Sequence, residues 1–233
     1  MIPLKDTNPS RRFPLVTILI IVSNVLIFLF QLSLGESAND FILIFGMIPK
    51  RYFFLTNNES IHLIKRFYPF LTSIFLHGGW MHLIGNMWFL WIFGDNVEDR
   101  FGRRNFLLFY ILAGLIAGFA HAHFNSGSAI PTVGASGAIA GVMGAYLIFY
   151  PRAKVLTILP LIIFFPVIEI SAIFFLGIWF LFQFISGTVD LSKAGSQCCG
   201  VAWWAHVGGF VVGIVISTFM SLIARHRNRY PVL

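Results

Sequence analysis

A serine flanked by glycine opens one of the hydrophobic segments of this chain, in Gly134-Ala135-Ser136-Gly137. A serine hydroxyl is a weak nucleophile, and it needs a base within hydrogen-bond reach to take its proton. His206 lies near the start of another hydrophobic segment, and a neutral imidazole can accept that proton and later deliver it to a leaving amine. Ser136 and His206 therefore predict nucleophilic catalysis by a pair of residues held in hydrophobic helices.

His82 and Asn86 are the second polar pair within a hydrophobic segment, and their spacing of four places them on one helix face. Acyl transfer passes through a tetrahedral intermediate, whose oxyanion needs hydrogen-bond donors. We expect these two side chains to donate together with the backbone N–H of Ser136, where the helix dipole also favours negative charge. Glu169 lies at the other end of its segment, so we expect a Ser–His dyad without an acidic third member and without metal or cofactor.

The composition requires a membrane protein. Hydrophobic residues make up 58% of the chain and charged residues only 11%, against about 25% charged in soluble domains. The 233 residues leave room for about six spans of some 20 residues each. We predict an all-α, polytopic bundle in which the short fourth helix carries the nucleophile. The predicted spans are 13–34, 76–93, 104–121, 136–150, 168–186 and 203–224. Two prolines within 155–167 make that segment interfacial or re-entrant by prediction.

The basic residues predict the orientation. With six spans, the termini and the loops after spans two and four share one side and carry 11 of the 16 Lys and Arg residues; the other side carries five. The positive-inside rule places that first side in the cytoplasm. Residues 1–12 and 225–233 become cytoplasmic tails around a core at 13–224, and the polar constellation lies near the outer face. The net charge of +7 is thereby explained by topology, and no nucleic-acid partner is expected. The short loops and tails favour a prokaryotic plasma membrane.

Glycines at helical spacing predict where two spans meet. Small residues let helix backbones approach closely within a membrane. Such residues recur on the fourth and sixth predicted spans, as Gly137, Gly141 and Gly144 and as His206, Gly209 and Gly213. Because His206 shares a face with its glycines, this contact should press it toward Ser136.

Three motifs, in order and on separate predicted spans, resemble the rhomboid family of intramembrane serine proteases. They are His82-Leu83-Ile84-Gly85-Asn86, Gly134-Ala135-Ser136-Gly137, and Ala205-His206-Val207-Gly208-Gly209 followed by Gly213. The resemblance implies a dyad of Ser136 and His206, an oxyanion site of His82, Asn86 and the Ser136 amide, and supporting roles for Gly134, Gly137 and Gly209.

The resemblance also implies how substrate is handled. Proteins with a single transmembrane segment would be cleaved in the bilayer near its outer face, at small residues in helix-destabilising sequence. The loop 187–202 would be a mobile cap, and span five would border the lateral entry for substrate. The first loop, 35–75, lacks the Trp-Arg pair of some family members.

Two other functions remain open from the residues alone. A catalytically inactive rhomboid-like protein would bind membrane clients, and it would be expected to have lost Ser136 or His206. A histidine-based transporter would use the scattered histidines of the outer half, but neither repeat symmetry nor a suitable set of additional ligands accompanies them. We interpret His77 as interfacial and Glu98-Asp99-Arg100 as a solvated turn.

Overall fold

A computed structural model describes residues 1–56, 63–160, 164–192 and 201–229. Within these residues the chain forms nine α-helices and three β-strands. The helices are α1 (Leu15–Ser33), α2 (Ala38–Phe45), α3 (Pro49–Thr56), α4 (Leu63–Thr72), α5 (Trp80–Phe101), α6 (Arg103–Phe124), α7 (Ser136–Phe149), α8 (Ala172–Ser192) and α9 (Trp203–Arg229). The strands are β1 (Ile2–Asp6), β2 (Lys154–Ile158) and β3 (Val167–Ser171).

The helical membrane bundle is as predicted. Helices α1, α5, α6, α7, α8 and α9 correspond to the six predicted spans. Among the described residues, α1, α6, α8 and α9 are long and apolar enough to cross a membrane, and α7 is a shorter apolar helix. Helix α5 begins at Trp80 instead of 76 and runs to Phe101 instead of 93, because the polar residues of its last turns find partners in the fold.

Glu98 is the clearest example of such a polar residue in the last turns of α5. The prediction that it belongs to a solvated turn was wrong. Its side chain is only 3% exposed. One carboxylate oxygen accepts from the Val16 N–H at 3.0 Å, and the other accepts from the N–H and hydroxyl of Thr17 at 2.7 and 2.8 Å. The first amides of a helix have no intrahelical acceptor. Glu98 therefore caps α1 from the neighbouring helix.

Where the segment predicted as interfacial or re-entrant is described, residues 155–158 and 167 belong to a small antiparallel sheet of order β1-β2-β3. Strand β2 pairs with β3 from Lys154↔Ser171 to Ile158↔Val167, and it pairs with β1 on its other edge. Pro160 and Pro166 lie just outside the strands, where they remove no ladder hydrogen bond. The predicted N-terminal tail thus holds an edge strand, and β3 moves the start of α8 from 168 to Ala172.

The predicted first loop is largely helical where it is described. Helices α2, α3 and α4 follow α1, and the Arg51 guanidinium donates to the carbonyl oxygens of Leu43 and Gly46 at 2.5 and 2.7 Å. This side chain satisfies carbonyls that the end of α2 leaves without partners. The Phe70 ring of α4 stacks on Phe119 of α6 at 4.1 Å, so the segment is packed against the bundle.

Helix α7 lies at the centre of the bundle, and residues 137–146 are all buried. A Cβ added at Gly209 would overlap the carbonyl oxygen of Gly137, and one at Gly213 would overlap that of Gly141. The close approach predicted from the glycine spacing is therefore present. Since both contacts advance by four residues in the same direction, α7 and α9 run parallel, and their first turns meet at one end of the bundle.

Candidate active site

Ser136 and His206 meet where α7 and α9 begin. Ser136 is the first residue of α7 and His206 lies in the first turn of α9. The Ser136 hydroxyl lies 2.8 Å from Nε2 of His206, which is a hydrogen-bond distance. The backbone contact at Gly137 and Gly209 is one residue and three residues away from the two side chains, so it fixes their separation. Neutral imidazole accepting this O–H is the arrangement that activates a serine.

A third residue holds the other edge of the imidazole. Nδ1 of His206 lies 2.7 Å from Oε1 of Gln183 on α8, and the Gln183 side chain is only 6% exposed. This neutral partner was not predicted from the sequence, where only an acidic residue was considered for that role. A signal was available, because a single amide interrupts the apolar run of α8, and polar residues within spans face the bundle interior.

Aromatic rings enclose the histidine on two sides. The Trp179 ring of α8 lies 5.9 Å from the imidazole centroid, tilted by 37°. Trp203 approaches edge-on at 6.3 Å. These walls restrict the rotation of His206 about its side-chain bonds, in addition to the two hydrogen bonds.

The predicted oxyanion donors lie beside Ser136. Asn86 is 7% exposed, and its buried Nδ2 has no hydrogen-bond partner within the described parts of the chain. Gly134 has a positive φ of 124°, and a Cβ there would lie 2.6 Å from Nε2 of His82. Only glycine lets the chain before Ser136 pass this close in this conformation. The Gly134 N–H donates to the Ser73 carbonyl oxygen at 2.9 Å, which holds the turn in place.

These polar groups line one cavity of about 500 Å³. His82, Asn86, Ser136 and His206 contribute its polar surface, and the remainder is mostly apolar, with Met81, Phe89, Ile139, Met143, Trp179, Val201 and Ala202 among the lining residues. The cavity is bordered by α5 on one side and by α8 on the other. Such a site can hold an apolar chain segment with a carbonyl group against the serine.

His77 is not interfacial, as the sequence analysis interpreted it, but buried, with 1% of its surface exposed. Its backbone N–H and carbonyl pair with the Gln31 side chain of α1, both at 3.1 Å. Its ring packs edge-on against His82, with centroids 5.2 Å apart. His77 thus belongs to the support of α5 just before the His82 turn.

The remaining predicted features lie apart from the cavity or outside the described residues. His121 is buried and contacts Asn125, whereas His123 is exposed. In the described parts of the chain, no three His, Cys, Asp or Glu side chains are grouped to hold a metal ion. Residues 193–200 of the predicted cap lie outside the described residues.

The fold and this geometry define a class of protein: a multi-pass helical membrane protein with a hydrogen-bonded serine and histidine beside a cavity. The family model for the Rhomboid domain matches residues 65–223. The chain therefore belongs to the rhomboid family.

Named relatives agree with this family. The chain is 28% identical over 203 residues to "Rhomboid protein 1, mitochondrial" of Saccharomyces cerevisiae, which covers 80% of this chain and 53% of the relative. It is 34% identical over 135 residues to "Rhomboid protease GluP" of Bacillus subtilis, covering 58% of this chain and 24% of the relative. It is 27% identical over 212 residues to "Presenilin-associated rhomboid-like protein, mitochondrial" of Bos taurus, covering 84% and 50%. The chain thus spans about half or less of each relative's length.

Proposed function

We propose that this protein is an intramembrane serine endopeptidase that uses Ser136 as nucleophile and His206 as general base. The observation that carries the proposal is the 2.8 Å hydrogen bond between these side chains at the head of a buried helix. Family membership supports it, as does the name of the Bacillus subtilis relative, a rhomboid protease. The substrates are proteins with a transmembrane segment, because the cavity is mostly apolar and lies between helices of a membrane bundle.

The geometry suggests the steps. Nε2 of His206 takes the hydroxyl proton as Oγ of Ser136 attacks the peptide carbonyl carbon. The carbonyl oxygen becomes an oxyanion that accepts hydrogen bonds from Asn86, His82 and the Ser136 amide. The imidazolium then gives its proton to the leaving amine as the C–N bond breaks, which leaves an acyl-enzyme. A water molecule gives a proton to His206 as it attacks the ester carbonyl carbon, and the imidazolium then returns that proton to Oγ of Ser136 as the C–O bond breaks and the carboxylic acid product leaves.

The proposed orientation follows from charge and helix direction. Helices α7 and α9 run parallel from the Ser136 end, and the basic residues are concentrated at the other end. The positive-inside rule then assigns the chain termini to the cytoplasm and cleavage to the outer half of the bilayer. Two of the three relatives are named as mitochondrial, which weighs against the prokaryotic plasma membrane predicted from the short loops. We therefore propose a multi-pass membrane enzyme and leave open whether its membrane is bacterial or mitochondrial.

A fluorophosphonate probe tests the proposal, because it reacts covalently only with an activated serine. Detergent-solubilised wild type should label, with and without a chelator, while Ser136→Ala and His206→Ala should not. Ser217→Ala is the matched control, since Ser217 is a buried serine of α9 that has no hydrogen-bond partner among the residues described, and it should label like wild type. A folded wild type that does not label would overturn the proposal and favour a client-binding role.

A further inference from the structure

We propose that Gln183 is a positioning residue for the Ser136–His206 pair, which holds the imidazole in the tautomer with its proton on Nδ1. This inference rests on the proposed function, since it concerns the same serine and histidine. Its observations are the 2.7 Å contact from Gln183 Oε1 to His206 Nδ1 and the 6% exposure of the Gln183 side chain.

The two hydrogen bonds of the ring require each other. A neutral imidazole carries one proton, so one nitrogen donates and the other accepts. Nε2 can take the proton of Ser136 only if the ring proton resides on Nδ1. The amide oxygen of Gln183 accepts and cannot donate, so it favours that tautomer. The reverse orientation of the amide would set its NH₂ group against Nδ1 and favour the tautomer with the proton on Nε2, in which the ring could not take the proton of Ser136.

A neutral acceptor suits the surroundings of this histidine. An ionised carboxylate within a membrane span is expensive unless it is paired, whereas an amide is dipolar and carries no charge. Among the described residues, the two ring nitrogens of His206 contact Ser136 and Gln183, and neither of these side chains is an acid. Gln183 therefore supplies the orienting hydrogen bond that an aspartate supplies in a Ser-His-Asp triad, without bringing a charge into the bundle.

Helix α8 holds the ring with two residues one turn apart. Gln183 and Trp179 are separated by four positions and so share a helix face. Gln183 bonds the edge of the imidazole, and the Trp179 ring lies 5.9 Å from the imidazole centroid. The histidine thus depends on α8 for its tautomer, and Trp179 of α8 and Trp203 of α9 together restrict its rotamer.

The test compares two substitutions at Gln183 in the full chain. Gln183→Met keeps the side-chain length and removes the acceptor, and Gln183→Glu restores an acceptor oxygen. Thr188→Val on α8 is the matched control, because its hydroxyl bonds only the Ile185 carbonyl oxygen among the contacts described. The readouts are the ¹⁵N shifts of histidine-labelled protein and kcat and KM for a transmembrane peptide substrate. The His206 signal is identified from its loss in His206→Ala.

We expect wild type to show a neutral His206 with its proton on Nδ1. Gln183→Met should populate the Nε2–H tautomer and lower kcat by about 10- to 100-fold, the range for loss of one buried hydrogen bond, with KM within about twofold. Gln183→Glu should restore the Nδ1–H tautomer and recover much of kcat. Thr188→Val should match wild type in both readouts.

Two results would overturn the proposal. One is a wild-type His206 with its proton on Nε2, which needs no variant to fold. The other is a Gln183→Met protein with wild-type tautomer and kcat. The ¹⁵N measurement is independent of proteolysis. If wild type neither labels nor cleaves, the proposed function fails, while the shifts still decide whether Gln183 orients the ring.

Discussion

The Asn86 side chain is a buried hydrogen-bond donor that the proposed mechanism assigns to the oxyanion. Its Nδ2 is buried without a partner among the described residues, and it lies on the same helix face and the same cavity as His82. Leaving a buried donor unsatisfied costs free energy, and in the proposed mechanism this cost would be recovered when the oxyanion forms beside it. Such an arrangement would stabilise the proposed transition state more than the bound substrate, which is what accelerates a chemical step.

Asn86→Ala should therefore lower kcat by about 10²–10³, the usual effect of removing one oxyanion donor, and leave KM nearly unchanged. The measurement is cleavage of a transmembrane peptide substrate over a range of concentrations. Asn105→Ala is the control, because Asn105 is an exposed amide of α6 that bonds the Phe101 carbonyl oxygen. An unchanged kcat in Asn86→Ala would remove Asn86 from the oxyanion site.

At the scale of residues, the sequence is informative where polarity and position agree. Ser136, His206, His82 and Asn86 are polar groups near the same end of hydrophobic segments, and the structure places all four on one cavity. Gln183 was not predicted as the partner of His206 because only a carboxylate was considered for that role. Glu98 was misread because a charged residue beside arginines is usually solvated, and its burial depends on amides some 80 positions earlier in the chain.

Gly209 and Gly213 set the distance between α7 and α9, the helices that carry Ser136 and His206. The added Cβ of Gly209→Ala would meet a backbone carbonyl of α7, which cannot rotate away as a side chain can. We expect the free energy of unfolding to fall by more than about 1 kcal/mol, the low end for overpacking. Fluorophosphonate labelling should fall with it, because α9 carries His206 away from Ser136.

Gly177→Ala is the matched control for this prediction. A Cβ at Gly177 on α8 meets nothing within 4 Å, and alanine is the better helix former. Its free energy of unfolding, measured in mixed micelles of detergent and dodecyl sulfate, should equal or exceed that of wild type. If Gly209→Ala were as stable and as reactive as Gly177→Ala, the backbone contact would not be what positions the pair.

Glu98 joins α5 to the start of α1, and its removal tests that link. Glu98→Ala leaves the Val16 and Thr17 amides without their acceptors, and we expect a loss of about 1–3 kcal/mol in the free energy of unfolding. Glu98→Gln keeps one acceptor oxygen and should lie between Ala and wild type. Dodecyl sulfate unfolding measures the order of the three proteins. Equal stability of Glu98→Ala and wild type would contradict the capping role.

At the scale of elements, local periodicity predicted the helices and could not predict the sheet. The six spans are apolar runs long enough to be recognised in the sequence without knowing which elements they pack against. Strand β2 is five residues long, and its partner β1 lies about 150 positions earlier. Its alternate residues Val155 and Thr157 are fully buried, but so short an alternation is not distinctive without knowledge of the strand that pairs with it.

The molecule as a whole is tied together at its N-terminus. Strand β1 lies beside α5, where the Trp88 indole donates to the Pro3 carbonyl oxygen at 2.6 Å. The Asp6 carboxylate accepts from the Tyr146 hydroxyl of α7 and from the Asn96 amide of α5. Residues predicted as a tail therefore connect the sheet to two helices that carry the proposed site.

This connection should weaken as the pH rises. Burial raises the pKa of Asp6 to about 6, the Tyr146 hydrogen bond opposes that rise, and the charge of Asp95 adds to it. The docked strand therefore binds more protons than the released one between pH 4 and 6. Its stabilisation is complete below the ordinary pKa of about 4 for an aspartate and is lost as the pH passes through 6.

Hydrogen exchange of the Thr7 amide, which donates to the Lys154 carbonyl oxygen, measures how firmly the strand is docked. After correction for intrinsic exchange, protection in wild type should be lower at pH 7.5 than at pH 4.5. Asp6→Asn keeps a side chain that can pair with Tyr146 but does not titrate, so its protection should not change between these two values. All other acids are common to the two proteins. The same pH dependence in both would mean that a group other than Asp6 controls the docking of the N-terminus.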